Sequence, residues 1–132
     1  MPRTSLLSLV LVLIPLTAWA APIEVEGIKL GASKGEVAKL PNATEKGGVI
    51  TVTPDEATSI EVSFDGKGKA KRIYSSHRKG LAPMKDLTTK YGEPVKEEKT
   101  DAIKYVYKVA GEGTVTLEKV KGYPGFYIEA VR

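Results

Sequence analysis

Residues 59–74 have the sequence SIEVSFDGKGKAKRIY, a pattern that predicts a β-hairpin. Ile60, Val62 and Phe64 alternate with polar residues, so they would face a core while the residues between them face water. The Asp-Gly-Lys-Gly sequence that follows is typical of a tight hairpin turn. A partner strand over 69–74 then predicts an antiparallel sheet with one solvated face.

Two short helices flank this hairpin in the sequence. Ser33 and Glu36 have the spacing of a capping box, which predicts a helix of about two turns that Pro41 ends. A second helix would begin near Pro83 and end at Gly92, since glycine is typical just after a helix. The apolar stripe of this second helix consists of Met84, Leu87 and Tyr91.

The remaining strands are predicted from β-branched and alternating runs at 23–30, 49–53, 103–109, 114–120 and 126–131. Each helix is then followed by three strands with short connections. We therefore predict an α+β fold: a duplicated α-β-β-β unit whose antiparallel sheet has both short helices on one face. Residues 21–132 would form a single domain, with unit one at about 21–79 and unit two at about 80–132.

Residues 1–20 have the pattern of a Sec-type signal peptide. Arg3 supplies the positive charge, an apolar run follows, and Ala18-Trp19-Ala20 matches the small-x-small cleavage site. The apolar run is shorter than the roughly 20 residues that cross a bilayer. No cysteine follows that could carry a lipid anchor, so we expect a soluble periplasmic protein with no transmembrane segment after cleavage.

Composition and charge exclude several classes of function. The chain has 20 Lys and Arg against 16 Asp and Glu, and of these only Arg3 precedes residue 21, so the rest carries a net charge of +3. This weakly basic balance argues against a nucleic-acid partner. The absence of cysteine from the chain excludes disulfides, thiol catalysis and cysteine-based metal sites.

Three segments carry a resemblance to a known family. Residues 27–37, GIKLGASKGEV, resemble the G-x-x-L-G-M-S-x-x-E-V opening of the SmpA/BamE-like outer-membrane assembly lipoproteins. Residues 90–94, KYGEP, resemble the L-x-x-x-Y-G-x-P of these proteins, and residues 64–70, FDGKGKA, are similar to the hairpin that ends one of their units. The pattern also resembles the related beta-lactamase-inhibitor-protein fold, which consists of two such units in tandem.

The resemblance implies a periplasmic fold of tandem helix–three-strand units and a protein that binds other proteins. The chain departs from the lipoproteins by lacking their lipid-bearing cysteine. It departs from the inhibitor proteins by lacking their disulfides and tryptophans, since Trp19 is the one tryptophan and lies in the predicted signal peptide. No contact residue of either family carries over to this chain.

The titratable residues form no pattern that indicates catalysis. His77, the one histidine, lies in the polar stretch 75–79 and is predicted to be an exposed loop residue. A single histidine cannot form a histidine-based metal site, and the chain has no G-x-S-x-G motif. The clustered carboxylates are predicted to be solvated in turns: Asp55, Glu56, Glu93, Glu97, Glu98 and Asp101. We predict a non-enzymatic protein without cofactor or metal.

A basic run is the clearest charge feature, and two interpretations of it stay open. The run consists of Lys67, Lys69, Lys71, Arg72, Arg78 and Lys79. These side chains could bind anionic envelope lipid or an acidic protein patch. The favoured alternative is that they cover the solvent-exposed face of a strand and protect an edge of the sheet from aggregation.

The tyrosines of the second unit form the other candidate surface. Tyr105 and Tyr107 share one face of a strand and are predicted to pack in the core. Tyr123 lies in a Gly-Tyr-Pro-Gly turn and is harder to bury, and an exposed tyrosine at a loop tip is typical of protein-binding anchors. We predict a contact surface formed by Tyr123 with Tyr127 or Arg72.

These patterns favour a secreted, periplasmic binding module, an envelope adaptor or an inhibitor, whose partner is a protein of the cell envelope. The alternative function is binding of anionic lipid or a small ligand through the basic hairpin. The candidate binding residues for the two functions are Tyr123, Tyr127, Lys69, Lys71, Arg72 and Arg78.

Overall fold

One antiparallel sheet of eight strands forms the centre of the fold, and apolar and polar residues alternate along its inner strands. The structure, a computed structural model, describes residues 22–132, so the predicted signal peptide lies outside the described residues. In chain order the elements are β1 (Glu24–Val25), β2 (Ile28–Lys29), α1 (Lys34–Ala38), β3 (Ala43–Lys46), β4 (Val49–Asp55), β5 (Thr58–Phe64), β6 (Ala70–His77), α2 (Met84–Tyr91), β7 (Val95–Glu98), β8 (Ala102–Val109), β9 (Gly113–Val120) and β10 (Phe126–Val131).

The sheet consists of two four-stranded meanders that meet at their last strands. Its strand order is β3-β4-β5-β6-β10-β9-β8-β7, so β6 and β10 pair at the centre and β3 and β7 form the two edges. The β6–β10 register runs from His77 opposite Phe126 to Arg72 opposite Val131. This central pairing brings residues far apart in the sequence onto the same part of the sheet.

Only one face of the sheet is buried. Alternate strand residues on that face form a single hydrophobic cluster with Val37 of α1 and Leu87 of α2. Its fully buried members in the sheet include Ile50, Ile60, Val62, Ile73, Tyr107, Val115 and Leu117. The β1–β2 hairpin adds Ile23, Val25 and Ile28 to the cluster, and β1 contacts β10 between the helices. We call the opposite face, whose side chains are half-buried or exposed, the open face.

Several local predictions are confirmed. Ser33 Oγ accepts a hydrogen bond from the Glu36 amide at 3.2 Å, and Glu36 Oε1 accepts one from the Ser33 amide at 3.4 Å, as in a capping box. α2 ends at Gly92, whose φ of 91° suits glycine. The turn at 65–68 joins β5 to β6 as predicted. The α+β class, with antiparallel strands and two short helices, is confirmed.

The predicted count of three strands after each helix is wrong, because each helix precedes four. The additional strands are the sheet edges, β3 and β7. Every residue of β7 is exposed, and of β3 only Ala43 packs against the core. Neither strand carries apolar alternation, which is why the sequence does not predict them. Glu97 and Glu98 therefore lie in the edge strand β7 and not in the predicted turn. Charged side chains on such edges oppose pairing with other chains.

The predicted strand at 23–30 is also wrong, since these residues form the β1–β2 hairpin. Glu26 and Gly27 have φ values of 50° and 83°, the positive values of a two-residue type I′ turn. The reversal at these residues lets Ile23, Val25 and Ile28 all bury their side chains under the sheet. The hairpin is held against α2 by the Glu24 amide, which donates to the Tyr91 hydroxyl at 3.2 Å.

Candidate functional site

A row of aromatic side chains crosses the centre of the open face. Tyr74 of β6 stacks on Tyr127 of β10 with ring centroids 5.9 Å apart and planes 18° apart. Tyr127 in turn stacks on Tyr123, at 5.3 Å and 9°. At the other end the Arg72 guanidinium lies 5.0 Å from the centre of the Tyr74 ring. We call these four residues, Arg72, Tyr74, Tyr127 and Tyr123, the aromatic strip.

A β-bulge in β6 sets which residues reach the aromatic strip. Ser63 pairs with Arg72 but the next residue of β5 pairs with Ala70, which leaves Lys71 as the extra residue. Ala70 and Ile73 can therefore both be buried although they are three residues apart. Arg72 and Tyr74 consequently point to the open face.

The structure brings together the three residues predicted as a contact surface, Tyr123, Tyr127 and Arg72, and adds Tyr74 between them. The sequence prediction missed Tyr74. The signal that could have identified it is the strand alternation: Ile73 faces the core, so its neighbour in the strand faces outward.

Carboxylates surround the aromatic strip. Arg72 Nε lies 2.5 Å from Glu129 Oε2, which makes an ion pair beside the Tyr74 ring. Tyr74 itself lies directly between Glu61 of β5 and Glu129 of β10 in the strand register. Glu118 of β9 lies opposite Tyr127. Three glutamates therefore lie next to the central tyrosines.

These surroundings stabilise the neutral phenols. Burial, and after it the Glu118 carboxylate, raise the pKa of Tyr74 above its ordinary value. The hydroxyl of Tyr123 beside it, and after that burial, raise the pKa of Tyr127. Both tyrosines therefore remain uncharged hydrogen-bonding groups at neutral pH.

The predicted basic residues divide between the two ends of β6. Lys69 lies at the β5–β6 turn, where its amide donates to Asp65 Oδ1 at 3.0 Å. Lys71 is the exposed bulge residue, and Arg78 lies beyond the other end of β6 with its guanidinium bonded to the carbonyl of Glu56. Because β6 has eight residues, its two ends are about 25 Å apart. Of the basic run, Arg72 alone belongs to the aromatic strip.

The prediction that His77 is an exposed loop residue is wrong. It is the last residue of β6, is only 8% exposed, and stacks on Phe126 with centroids 4.3 Å apart. Its Nε2 lies 2.8 Å from Ser75 Oγ and its Nδ1 lies 3.5 Å from Thr58 Oγ1. The polar Ser-Ser-His sequence continues the strand because these hydroxyls satisfy the ring nitrogens inside the core. Ser75 has no exposed surface, so a substrate could not reach its hydroxyl.

The prediction that Tyr105 and Tyr107 pack in the core agrees with the structure. Tyr107 is fully buried, its hydroxyl lies 3.1 Å from Thr88 Oγ1 of α2, and its ring meets that of Tyr91 edge-on at 6.4 Å. Tyr105 is half-buried against the same core. Tyr107 therefore helps to hold α2 on the sheet, and neither tyrosine belongs to the open face.

Four cavities among residues 22–132 have no lining residue in the aromatic strip, although Ser76, opposite Tyr127, lines one of them. The largest described cavity, about 440 Å³, lies between β2 and α1 and is lined by Ile28, Leu30, Val37, Leu40 and Glu36 among others. Within residues 22–132 there is no cluster of three or more His, Asp or Glu side chains that could hold a metal ion. No helix in this part of the chain is long and apolar enough to cross a membrane.

Comparison of the chain with protein-family models, with curated proteins and with solved structures finds no match.

Proposed function

We propose that this protein is a non-enzymatic binding module of the cell envelope, an adaptor or an inhibitor, that binds a protein partner through the open face of its sheet. The observation that supports the proposal is the aromatic strip. Three tyrosines and an arginine lie in contact on the open face, and tyrosine and arginine are the residue types enriched at binding hot spots.

The packing of the aromatic strip also favours binding over a merely solubilising role. A tyrosine side chain has two rotatable torsions and a large area, so ordering it costs little. Tyr127 is already fixed between Tyr74 and Tyr123, and Arg72 is fixed by Glu129. A partner would therefore meet a surface whose side chains are ordered before it arrives, and preordered surfaces bind more tightly for a given area.

The envelope location in this proposal depends on residues 1–20. Their charge, apolar run and Ala18-Trp19-Ala20 site support export through the Sec pathway. We further propose that the chain is a duplicated unit, with halves at about 21–79 and 80–132, as in the proteins that it resembles. The supporting feature is the topology, since each half contains a helix followed by a four-stranded meander.

The alternative, binding of anionic lipid or a small ligand through the basic hairpin, has less support. Arg78 lies at the opposite end of β6 from Lys69 and Lys71, and the charge of Arg72 is paired with Glu129. An electrostatic lipid contact needs several cations on one surface.

Affinity capture tests the proposal. Tagged residues 21–132 and their Tyr127→Ala variant would be exposed to envelope extract of the source organism and washed at low and high salt. Lys85→Ala, on the exposed side of α2, is the matched control. We expect one stoichiometric protein that survives high salt and whose recovery falls about tenfold or more with Tyr127→Ala alone. Recovery of a protein in an amount that Tyr127→Ala does not change would contradict the proposal. Recovery of lipid that the high-salt wash releases would contradict it as well.

A further inference from the structure

Three glutamates lie at the centre of the open face, although the molecule as a whole is basic. Residues 22–132 carry a net charge of +3, but Glu61, Glu118 and Glu129 all lie next to Tyr74 or Tyr127. Arg72 neutralises Glu129. Within residues 22–132, Glu61 and Glu118 have no cationic group within salt-bridge distance, and the charge nearest Glu118 in the register is Lys104 of β8.

The two unpaired glutamates lie on opposite sides of the aromatic strip. Glu61 is on β5 and Glu118 is on β9, with β6 and β10 between them. Three strand spacings, about 14 Å, separate them across the sheet, and Glu118 is offset from Glu61 by two residues, about 7 Å, along the strands. The tyrosine rings fill the space between the two carboxylates.

The contacts of Arg72 show that the aromatic strip can hold a guanidinium group beside a carboxylate. Its guanidinium lies against the Tyr74 ring while its Nε binds the Glu129 carboxylate. An aromatic ring beside a carboxylate is a favourable site for a guanidinium or ammonium group, because both the ring and the carboxylate attract the cation. Tyr127 with Glu118 repeats this combination of ring and carboxylate, and Lys104, which faces Glu118 in the register, lies beyond salt-bridge distance of it.

We propose that the partner is a protein that presents a basic segment, whose arginine or lysine side chains pair with Glu118 and Glu61 and pack their aliphatic stems along the tyrosine rings. This inference rests on the proposed function and adds the chemistry of the partner to it. It assigns the open face to a cationic partner, whereas the basic run of the sequence had suggested an anionic one.

Two matched synthetic peptides test this inference by NMR. One is acetyl-Gly-Arg-Ala-Tyr-Ala-Arg-Gly-amide, and the other has glutamate in place of both arginines. Each is titrated into isotope-labelled residues 21–132, into the double variant Glu61→Gln/Glu118→Gln and into Lys85→Ala. We expect the arginine peptide to shift the amide resonances of Tyr74, Tyr127 and Glu118, and the glutamate peptide to leave them unchanged. The double variant should weaken the affinity about fivefold, as expected for two solvent-exposed charge pairs, while Lys85→Ala should not.

Other outcomes would overturn the inference. Equal shifts with both peptides, no shifts, or no weakening in the double variant would show that the carboxylates do not select a cation. Shifts caused by phosphatidylcholine vesicles but not by the arginine peptide would identify a lipid headgroup in place of a protein. If envelope capture depends on Tyr127 but not on the two glutamates, the proposed function stands and this inference fails. If capture does not depend on Tyr127, the proposed function itself fails.

Discussion

At the scale of single residues, His77 shows how a polar side chain can be part of a core. Its ring is enclosed by Phe126 and by the hydroxyls of Ser75 and Thr58. Among the described residues no buried side-chain nitrogen or oxygen lacks a hydrogen-bond partner. Removal of the imidazole would leave both hydroxyls buried without this partner and would open a cavity.

We predict that His77→Ala lowers the free energy of unfolding by about 2–4 kcal/mol. Urea unfolding followed by circular dichroism measures this loss. Ser76→Ala, the neighbouring residue on the open face, is the control and should change the stability by less than about 0.5 kcal/mol. A His77→Ala variant as stable as the control would show that the ring is not packed as described.

The tyrosines of the aromatic strip predict a pH dependence at the alkaline end. Because the folded state raises the pKa of Tyr74 and Tyr127, it favours their neutral form. Their contribution to stability is therefore complete below the unfolded pKa of about 10 and is lost as the pH rises through the folded values. Absorbance at 295 nm should show tyrosines that ionise later than the exposed ones.

Single substitutions should show which tyrosines ionise at the higher pH. Tyr127→Phe should remove one late-ionising tyrosine, and Glu118→Gln should lower the pKa of Tyr74 because a nearby negative charge is lost. An alkaline titration that is unchanged by both substitutions would contradict the arrangement of Glu118 beside the strip.

At the scale of elements, the β6–β10 pairing depends on a glycine. A side chain at Gly125 would place its Cβ 1.7 Å from the carbonyl oxygen of His77, so the turn before β10 can pass β6 only without a side chain. Gly35 in α1 is the opposite case, since a Cβ there would meet no atom within 4 Å. Gly125 and Gly35 therefore serve as test and control positions for the replacement of glycine by alanine.

We predict that Gly125→Ala lowers the free energy of unfolding by more than about 4 kcal/mol or prevents folding, because the backbone of two central strands must separate. Gly35→Ala should instead raise it by up to about 1 kcal/mol, through the better helix propensity of alanine. Thermal melts of the two variants measure both effects. Similar stabilities for the two would contradict the close approach of β10 to β6.

The start of α1 gives a second prediction at this scale. The Ser33 hydroxyl, and after it the Ser33 amide, lower the pKa of Glu36 by bonding its carboxylate. This contribution to stability is present above the unfolded pKa and is lost as the pH falls through the lower folded value. Ser33→Ala should cost about 1 kcal/mol and raise the pKa of Glu36 toward its ordinary value.

NMR titration of the Glu36 side chain in both proteins measures the change. A Glu36 titration that Ser33→Ala does not move would contradict the capping box.

At the scale of the whole molecule, the local parts of the fold could be predicted from the sequence and the long-range parts could not. Alternation around Ile60 and the Ser33–Glu36 spacing predicted β5 and α1 because these signals involve neighbouring residues. The edge strands β3 and β7 carry no such signal, since almost none of their side chains is buried. The burial of His77 depends on Phe126, 49 residues further on, and no local pattern indicates that contact.

The same distinction applies to the candidate site. Tyr123 and Tyr127 could be singled out as a turn tyrosine and its neighbour. Their contact with Tyr74 and Arg72 depends on the β6–β10 pairing and on the bulge at Lys71, which are properties of the folded chain. The separation of Arg78 and Lys79 from the other basic residues has the same origin, since β6 lies between them.

The central claim is that the open face binds a protein, and photo-crosslinking in living cells tests it most directly. A photoreactive amino acid would replace Thr116, which lies opposite Glu129 on the open face, or Lys85 on the exposed side of α2. We predict that irradiation joins the Thr116-substituted protein to one defined envelope protein, while the Lys85-substituted protein gives no such product. Equal products from both positions, or none from Thr116, would contradict the claim.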